Sequence, residues 1–179
     1  MKVLVPLAEG FEEIEAMTII DVLRRAGIAV VVAGLPGTIV KGSRDVKIIT
    51  ETNVEDVSAG DFDGIILPGG NPGYLNLSRS KKIISLITEL HKSKKLVAAI
   101  CAAPVVLAQA GILQNVRATC YPGMEKSIPM PRNASVLADG NIITSQGPGT
   151  AMEFALKIVE YLAGKAKMEN VKQQLVFKG

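Results

Sequence analysis

The segment Leu96-Val97-Ala98-Ala99-Ile100-Cys101-Ala102-Ala103-Pro104 is the most telling stretch of this 179-residue chain. Its first five residues are apolar without alternation, which predicts a strand buried on both faces. Pro104 stands where the first turn of a helix tolerates a missing N–H. Cys101 is therefore the corner between a central strand and the helix that follows it.

The same alternation continues on both sides of this corner. Upstream, residues 3–7 and 29–33 read as buried strands, with a helical period over 14–26 that stops at Gly27. Residues 46–50 form a more exposed strand that can pair with 38–40. Residues 64–67 are another central strand, broken by Pro68-Gly69-Gly70. A helix over 80–93 turns Ile83, Ile84, Ile87 and Leu90 inward. Downstream, 116–119 has the look of a strand, and 136–138 and 142–144 flank a hairpin turn at Asp139-Gly140-Asn141. The last long helix covers 151–163 and closes at Gly164. No linker or repeat interrupts the series, so residues 1–179 are expected to form one α/β domain with a largely parallel sheet and helices on both faces.

Composition narrows the function. Hydrophobic content of 48% excludes a disordered chain, yet no apolar run is long enough to span a bilayer. The start, Met1-Lys2-Val3-Leu4-Val5-Pro6, lacks a signal-peptide pattern, which predicts a cytoplasmic protein. A net charge of +3 is mild. Lys92, Lys94, Lys95, Lys165 and Lys167 read as helix-end charges rather than a nucleic-acid patch. Two cysteines and one histidine cannot supply a zinc site, and a reducing compartment argues against a Cys101–Cys120 disulfide.

In a parallel sheet, ligands meet the loops at the carboxyl ends of the strands. Four such loops carry chemistry: 8–15, 68–73, 101–104 and 147–150. None holds a dinucleotide fingerprint or a Walker loop, so no nucleotide cofactor is expected. Cys101 stands out because a strand-to-helix elbow strains the corner residue and exposes its side chain, with the small Ala99 and Ala103 relieving the crowding. The N–H groups of the following helix would favour a thiolate of depressed pKa. The competing reading is a small buried hydrophobe, and Cys120, with no elbow, fits that reading. His91 lies at the far end of its helix, roughly 20 Å from Cys101 at about 3.3 Å per strand residue, and is expected to be solvated.

A carboxylate is the better partner for the thiol. On a helical wheel, Phe11, Ala16, Ile19, Val22, Leu23 and Ala26 form one apolar stripe. Glu15 falls inside it, Glu12 lies near it at the first turn, and Glu13 falls on the polar face with Asp21 and Arg24. A carboxyl on an apolar face should have a raised pKa and can donate a hydrogen bond when neutral. A buried structural hydrogen-bonder is the alternative role for Glu15.

Four segments together resemble the ThiJ/PfpI superfamily. They are Ala8-Glu9-Gly10-Phe11-Glu12-Glu13-Ile14-Glu15, Leu67-Pro68-Gly69-Gly70-Asn71, Ala98-Ala99-Ile100-Cys101-Ala102-Ala103-Pro104 and Thr144-Ser145-Gln146-Gly147-Pro148-Gly149-Thr150. The nearest branch is that of the parkinsonism-associated protein deglycase and its bacterial chaperone relatives. The resemblance runs from Lys2 to about Gly164 and implies a flavodoxin-like three-layer sandwich and a homodimer. It implies Cys101 as nucleophile, Glu15 as its hydrogen-bond partner, and backbone N–H groups of Gly70 and Ala102 as an oxyanion site. Gly69, Tyr121 and Gly147 belong to the same pocket. Arg44, and Pro148 from the second subunit, correspond to residues near the dimer interface and pocket. Many relatives carry a histidine where this chain has Tyr121 before Pro122, so a second catalytic base is missing.

The resemblance thus implies a cofactor-independent, cysteine-dependent deglycase or glyoxalase-like enzyme. Its substrates would be reactive dicarbonyls such as methylglyoxal, or glycated proteins; nucleic acid would enter only as a glycated substrate. The second reading is a redox-sensing chaperone in which Cys101 is oxidised to a sulfinate. A cysteine peptidase comes third, without the histidine.

Overall fold

A computed structural model describes residues 1–178. In chain order its regular elements begin with β1 (Lys2–Ala8), α1 (Glu13–Arg25), β2 (Ala29–Leu35), β3 (Ile39–Lys41), β4 (Lys47–Ile49) and β5 (Thr52–Asn53). Then come β6 (Gly64–Leu67), α2 (Gly73–Arg79), α3 (Lys81–Lys92), β7 (Leu96–Ile100) and α4 (Pro104–Gln109). The last are β8 (Val136–Asp139), β9 (Ile142–Ser145), α5 (Ala151–Ala163) and α6 (Lys165–Gln174).

Seven strands form one sheet in the order β5-β2-β1-β6-β7-β9-β8. All neighbours are parallel except β8, which returns antiparallel through the expected hairpin. Alternate residues of each central strand feed opposite cores, because successive side chains in a strand point to opposite faces. Leu96, Ala98 and Ile100 of β7 join α1, α5 and Val171 of α6 on one side, while Val97 and Ala99 join α2, α3 and α4 on the other. The continuous apolar runs of β1, β6 and β7 are thus explained by burial on both faces. The result is a mainly parallel α/β sandwich of three layers. No helix among the described residues is long and apolar enough to cross a membrane.

Most element boundaries follow local chemistry. Gly27, at φ +78, lets α1 stop, and the N–H of Ile28 donates back to Leu23 O at 3.1 Å. Ser80 caps α3 by accepting from the N–H of Ile83 at 3.2 Å. On α3, Leu86 is buried with Ile83, Ile87 and Leu90, whereas Ile84 is only half-buried.

Four expectations need correction. Residues 116–119 form no strand: Ala118 makes one isolated bridge to Pro131, and the N–H of Thr119 donates to Thr144 Oγ1 at 2.9 Å. The strand they would join, β9, is already flanked by β7 and β8, so no edge is free. Lys165 and Lys167 lie in the first turn of α6, not only beyond the end of α5. His91 is half-buried, and its Nδ1 is covered without a hydrogen-bond partner among the described residues. Glu13 is 9% exposed although the wheel places it on the polar face, because the loop between β3 and β4 folds over that side of α1.

Candidate active site

Three loops at the carboxyl edge of the sheet converge on Cys101. Its backbone is pinned on both sides: the N–H donates to Ser145 O at 2.9 Å, and the C=O accepts from the N–H of Tyr121 at 2.7 Å. So held, Cys101 takes φ +65, which is rare for a residue with a side chain and costs about 1–3 kcal/mol. The elbow expected at this corner is present, and Cys101 as a whole residue is 9% exposed.

Glu15 lies in the first turn of α1 and is fully buried. Its Oε2 accepts the N–H of Gly69 at 2.7 Å, whereas Oε1 has no fully formed hydrogen bond. The carboxyl and the Cys101 thiol act directly on each other. Gly69 must be glycine here, since a Cβ would sit 2.6 Å from Cys101 Cβ and 3.0 Å from Glu15 Oε2. The next residue, Gly70, has φ +94 and lies against Gly10 and Glu12, which turns its N–H toward the sulfur.

Burial dominates the electrostatics. Burial pushes the Glu15 carboxyl up to about 7, against the lowering effect of the Gly69 and Cys101 hydrogen bonds and with a small push from the Glu12 charge. Burial also pushes the Cys101 thiol up to about 12, helped by the negative charge and hydrogen bond of Glu15, while the N–H groups of Ala102 and Gly70 pull it down. The depressed thiol pKa expected from the helix N-terminus is therefore not found. The physical reason is that α4 is only six residues long and starts three residues beyond the sulfur, so its dipole is weak where desolvation is strong.

Between about 7 and about 12 the Glu15–Cys101 pair carries one proton, and burial together with the Glu15 charge favours keeping it on the thiol. The tautomer with the proton on Glu15 is a thiolate held by two backbone N–H groups. By contrast, burial and the Glu125 charge push Cys120 up to about 11 with no such partner. Cys101 and Cys120 belong to opposite core layers, and both are free thiols.

Above the thiol opens a cleft of about 350 Å³. Gly70, Ala102, Tyr121, Pro148 and Arg44 line it with Cys101, as the sequence implied. Pro148 of the same chain already reaches this cleft, where the resemblance implied the second subunit's copy. Gly69 lies behind the thiol rather than on the cleft wall, and Gly147 packs with its Cα side toward the Tyr121 ring. Four lining residues went unassigned as site residues in the sequence: Glu12, Asn71, Tyr74 and Met124. Tyr74 sits on α2, a short helix masked by its Pro72-Gly73 start; only Glu12 and Asn71, each inside a recognised motif, carried a usable signal. A second cleft, of about 300 Å³ between α5 and α6, holds no cysteine, and its Lys157 is paired with Glu160 at 2.8 Å.

Comparisons with known proteins agree with this geometry. The model of the DJ-1/PfpI family matches residues 1–161. Protein dj-1beta of Drosophila melanogaster is 46% identical over 178 residues, covering 97% of this chain and 95% of that protein. A Caenorhabditis elegans protein named glutathione-independent glyoxalase DJR-1.2 is 39% identical over 171 residues, covering 93% of this chain and 91% of its own length. The structure of oxidised Toxoplasma gondii DJ-1 superposes with a TM-score of 0.97 at 40% identity and 99% coverage of both chains.

Proposed function

Since the chain belongs to the DJ-1/PfpI family, we propose that it is a cytoplasmic, single-domain, cofactor-independent glyoxalase and deglycase acting on methylglyoxal, glyoxal or their protein adducts. The observation that carries this reading is the buried Glu15 carboxyl against the strained Cys101 thiol at the floor of the cleft. The glyoxalase name of the nematode relative supports the same substrate class.

In the reaction, the Cys101 thiolate adds to the aldehyde carbon of methylglyoxal. The oxygen that becomes negative is met by the N–H groups of Gly70 and Ala102. Glu15 protonates that oxygen, then as carboxylate takes the hydrogen from the former aldehyde carbon and returns it to the neighbouring carbon, while the hydroxyl proton passes from the first oxygen to the second. The product of this internal redox step is a lactoyl thioester on Cys101. Water cleaves the thioester, releasing lactate and one proton and restoring the Cys101–Glu15 pair with its single proton. One water is consumed and no external oxidant or reductant enters, so no cofactor is required.

Tyr121, 48% exposed, stands where many relatives carry histidine, so the second base of those relatives is missing. Glu15 therefore serves every proton transfer, which predicts slow turnover. Lactate release from methylglyoxal by metal-free wild type and Cys101→Ser tests the reading; comparable rates in both would remove it.

A redox role for the same thiol is the second reading. The N–H groups that meet an oxyanion can equally hold sulfinate oxygens, with neutral Glu15 as a further donor. A homodimer accompanies both readings, since Ile14, Met17, Val46 and Ile49 leave apolar surface on α1 and the β3–β4 hairpin that a two-fold interface could cover. Light scattering returning only an 18.9 kDa species at micromolar concentration would contradict it.

A further inference from the structure

Glu13, two residues from the candidate proton carrier, organises a different part of the site. Its Oε1 accepts the backbone N–H of Arg44 at 2.7 Å and of Val46 at 3.4 Å, and its Oε2 accepts from Ser43 Oγ at 3.1 Å. Ser43 Oγ also lies 3.2 Å from Glu12 Oε2, and the N–H of Ser43 donates to Phe11 O at 2.8 Å. Gly42 leaves space for the carboxylate, since a Cβ there would stand 2.3 Å from Oε1. The β3–β4 loop is thus wrapped around one carboxylate. Burial opposes its ionisation, but the donors from Arg44, Ser43 and Val46 outweigh that and hold it below the ordinary glutamate range.

The manner of this binding matters. Glu13 takes the N–H of Arg44, not its guanidinium, and no Lys or Arg side chain pairs with Glu13 among the described residues. The guanidinium is left with one long bond to Ser43 O at 3.3 Å, and Arg44 stands on the rim of the Cys101 cleft. A planar cation with most of its donors unspent, carried to the mouth of a small cleft by its anchored backbone, selects for anionic oxygen.

We infer that Glu13 is a positioning residue that holds the Arg44 guanidinium over the Cys101 cleft, so that the cleft favours reactants and products carrying an anionic group. The inference rests on Cys101 being the reactive thiol, and deepens the proposed function by giving the carboxylate product of neutral dicarbonyls a cationic partner in the cleft.

The test compares alkylation of Cys101 by iodoacetate, which is anionic, with iodoacetamide, which is neutral, at low ionic strength, scored by peptide mass spectrometry. Arg44→Ala should lower the iodoacetate-to-iodoacetamide rate ratio several-fold. Glu13→Ala should lower it equally, and the double variant should fall no further. Removing a negative charge by itself would raise this ratio, so the two explanations have opposite signs. Glu13→Asp keeps the charge but withdraws it from the Arg44 N–H, and should lower the ratio too. Glu13→Gln keeps an acceptor for Arg44 and a donor for Ser43, and should restore the wild-type ratio or exceed it. A raised ratio in Glu13→Ala, an unchanged one in Glu13→Asp, or additive losses in the double variant would overturn the inference. Dicarbonyl turnover has no part in the readout, so failure of the glyoxalase reading is a separate result.

Discussion

The backbone N–H of Gly69 donates to Glu15 Oε2 at 2.7 Å, which commits one carboxyl oxygen to the scaffold and leaves Oε1 free for proton traffic. This bond, made inside the core, orients the acid without neutralising it. It also makes the loop after β6 part of the geometry around Cys101, although no side chain of Gly69 exists to do so.

Gly69→Ala tests that arrangement sterically. The added methyl would meet Cys101 Cβ at 2.6 Å and Ile100 O at 3.0 Å. Overpacking of this kind should destabilise the fold by about 1–3 kcal/mol. Thermal unfolding should show the loss, and Cys101 alkylation should slow as the loop moves away from Glu15. An unchanged melting temperature together with unchanged alkylation would show that the loop has room the geometry denies it.

The pH dependence of stability carries a definite sign. Burial raises the Glu15 pKa from 4.5 to about 7, so between these values the folded state holds a proton that the unfolded state has released. Its contribution is fully present below pH 4.5 and is lost as pH rises through 7, on the order of 3 kcal/mol in all. Glu15→Gln has no such group, so its stability relative to wild type should climb across that interval in denaturant titrations. Parallel curves for the two proteins would place the titration elsewhere.

The same residue separates chemistry from support. If Glu15 moves protons, Glu15→Gln should reduce dicarbonyl turnover by roughly two to four orders of magnitude. If it only steadies the thiolate or sulfinate, Gln should retain most function, and Glu15→Asp, a methylene too short, should lose it. Melting-temperature losses in both variants with intact Cys101 chemistry would make Glu15 a core residue.

Cys101 should be alkylated far faster than Cys120 at neutral pH, with a rate that rises through an inflection near 7 belonging to the Glu15 pair. Cys120, pushed up to about 11, should show no inflection there. Peptide mapping after iodoacetamide checks both, and equal labelling at pH 7 would refute the coupling of Cys101 to Glu15.

Tyr121→His should raise dicarbonyl turnover or leave it unchanged, because the proposed reaction routes its proton transfers through Glu15 and none through Tyr121. A hundredfold fall in the steady-state rate would instead assign Tyr121 a specific role in the cleft.

By itself, the sequence determined the features that depend on local period and local strain. The runs in β1, β6 and β7 announce strands buried on both faces, Gly27 and Gly164 stop their helices, and Ile100-Cys101-Ala102 announces an elbow that the φ of +65 displays. Glu15 could be singled out because a wheel needs only its own helix. The tertiary structure alone decided what depends on distant segments. Glu13 is buried because a loop thirty residues away closes over it, residues 116–119 lose their strand because β9 has no free edge, and Tyr74 enters the cleft from a helix with almost no periodic signal. The Cys101 thiol belongs with these. Its elbow is a local property, but its ionisation is set by desolvation and by a carboxyl eighty-six positions upstream in the chain, and both arise only when the core has closed.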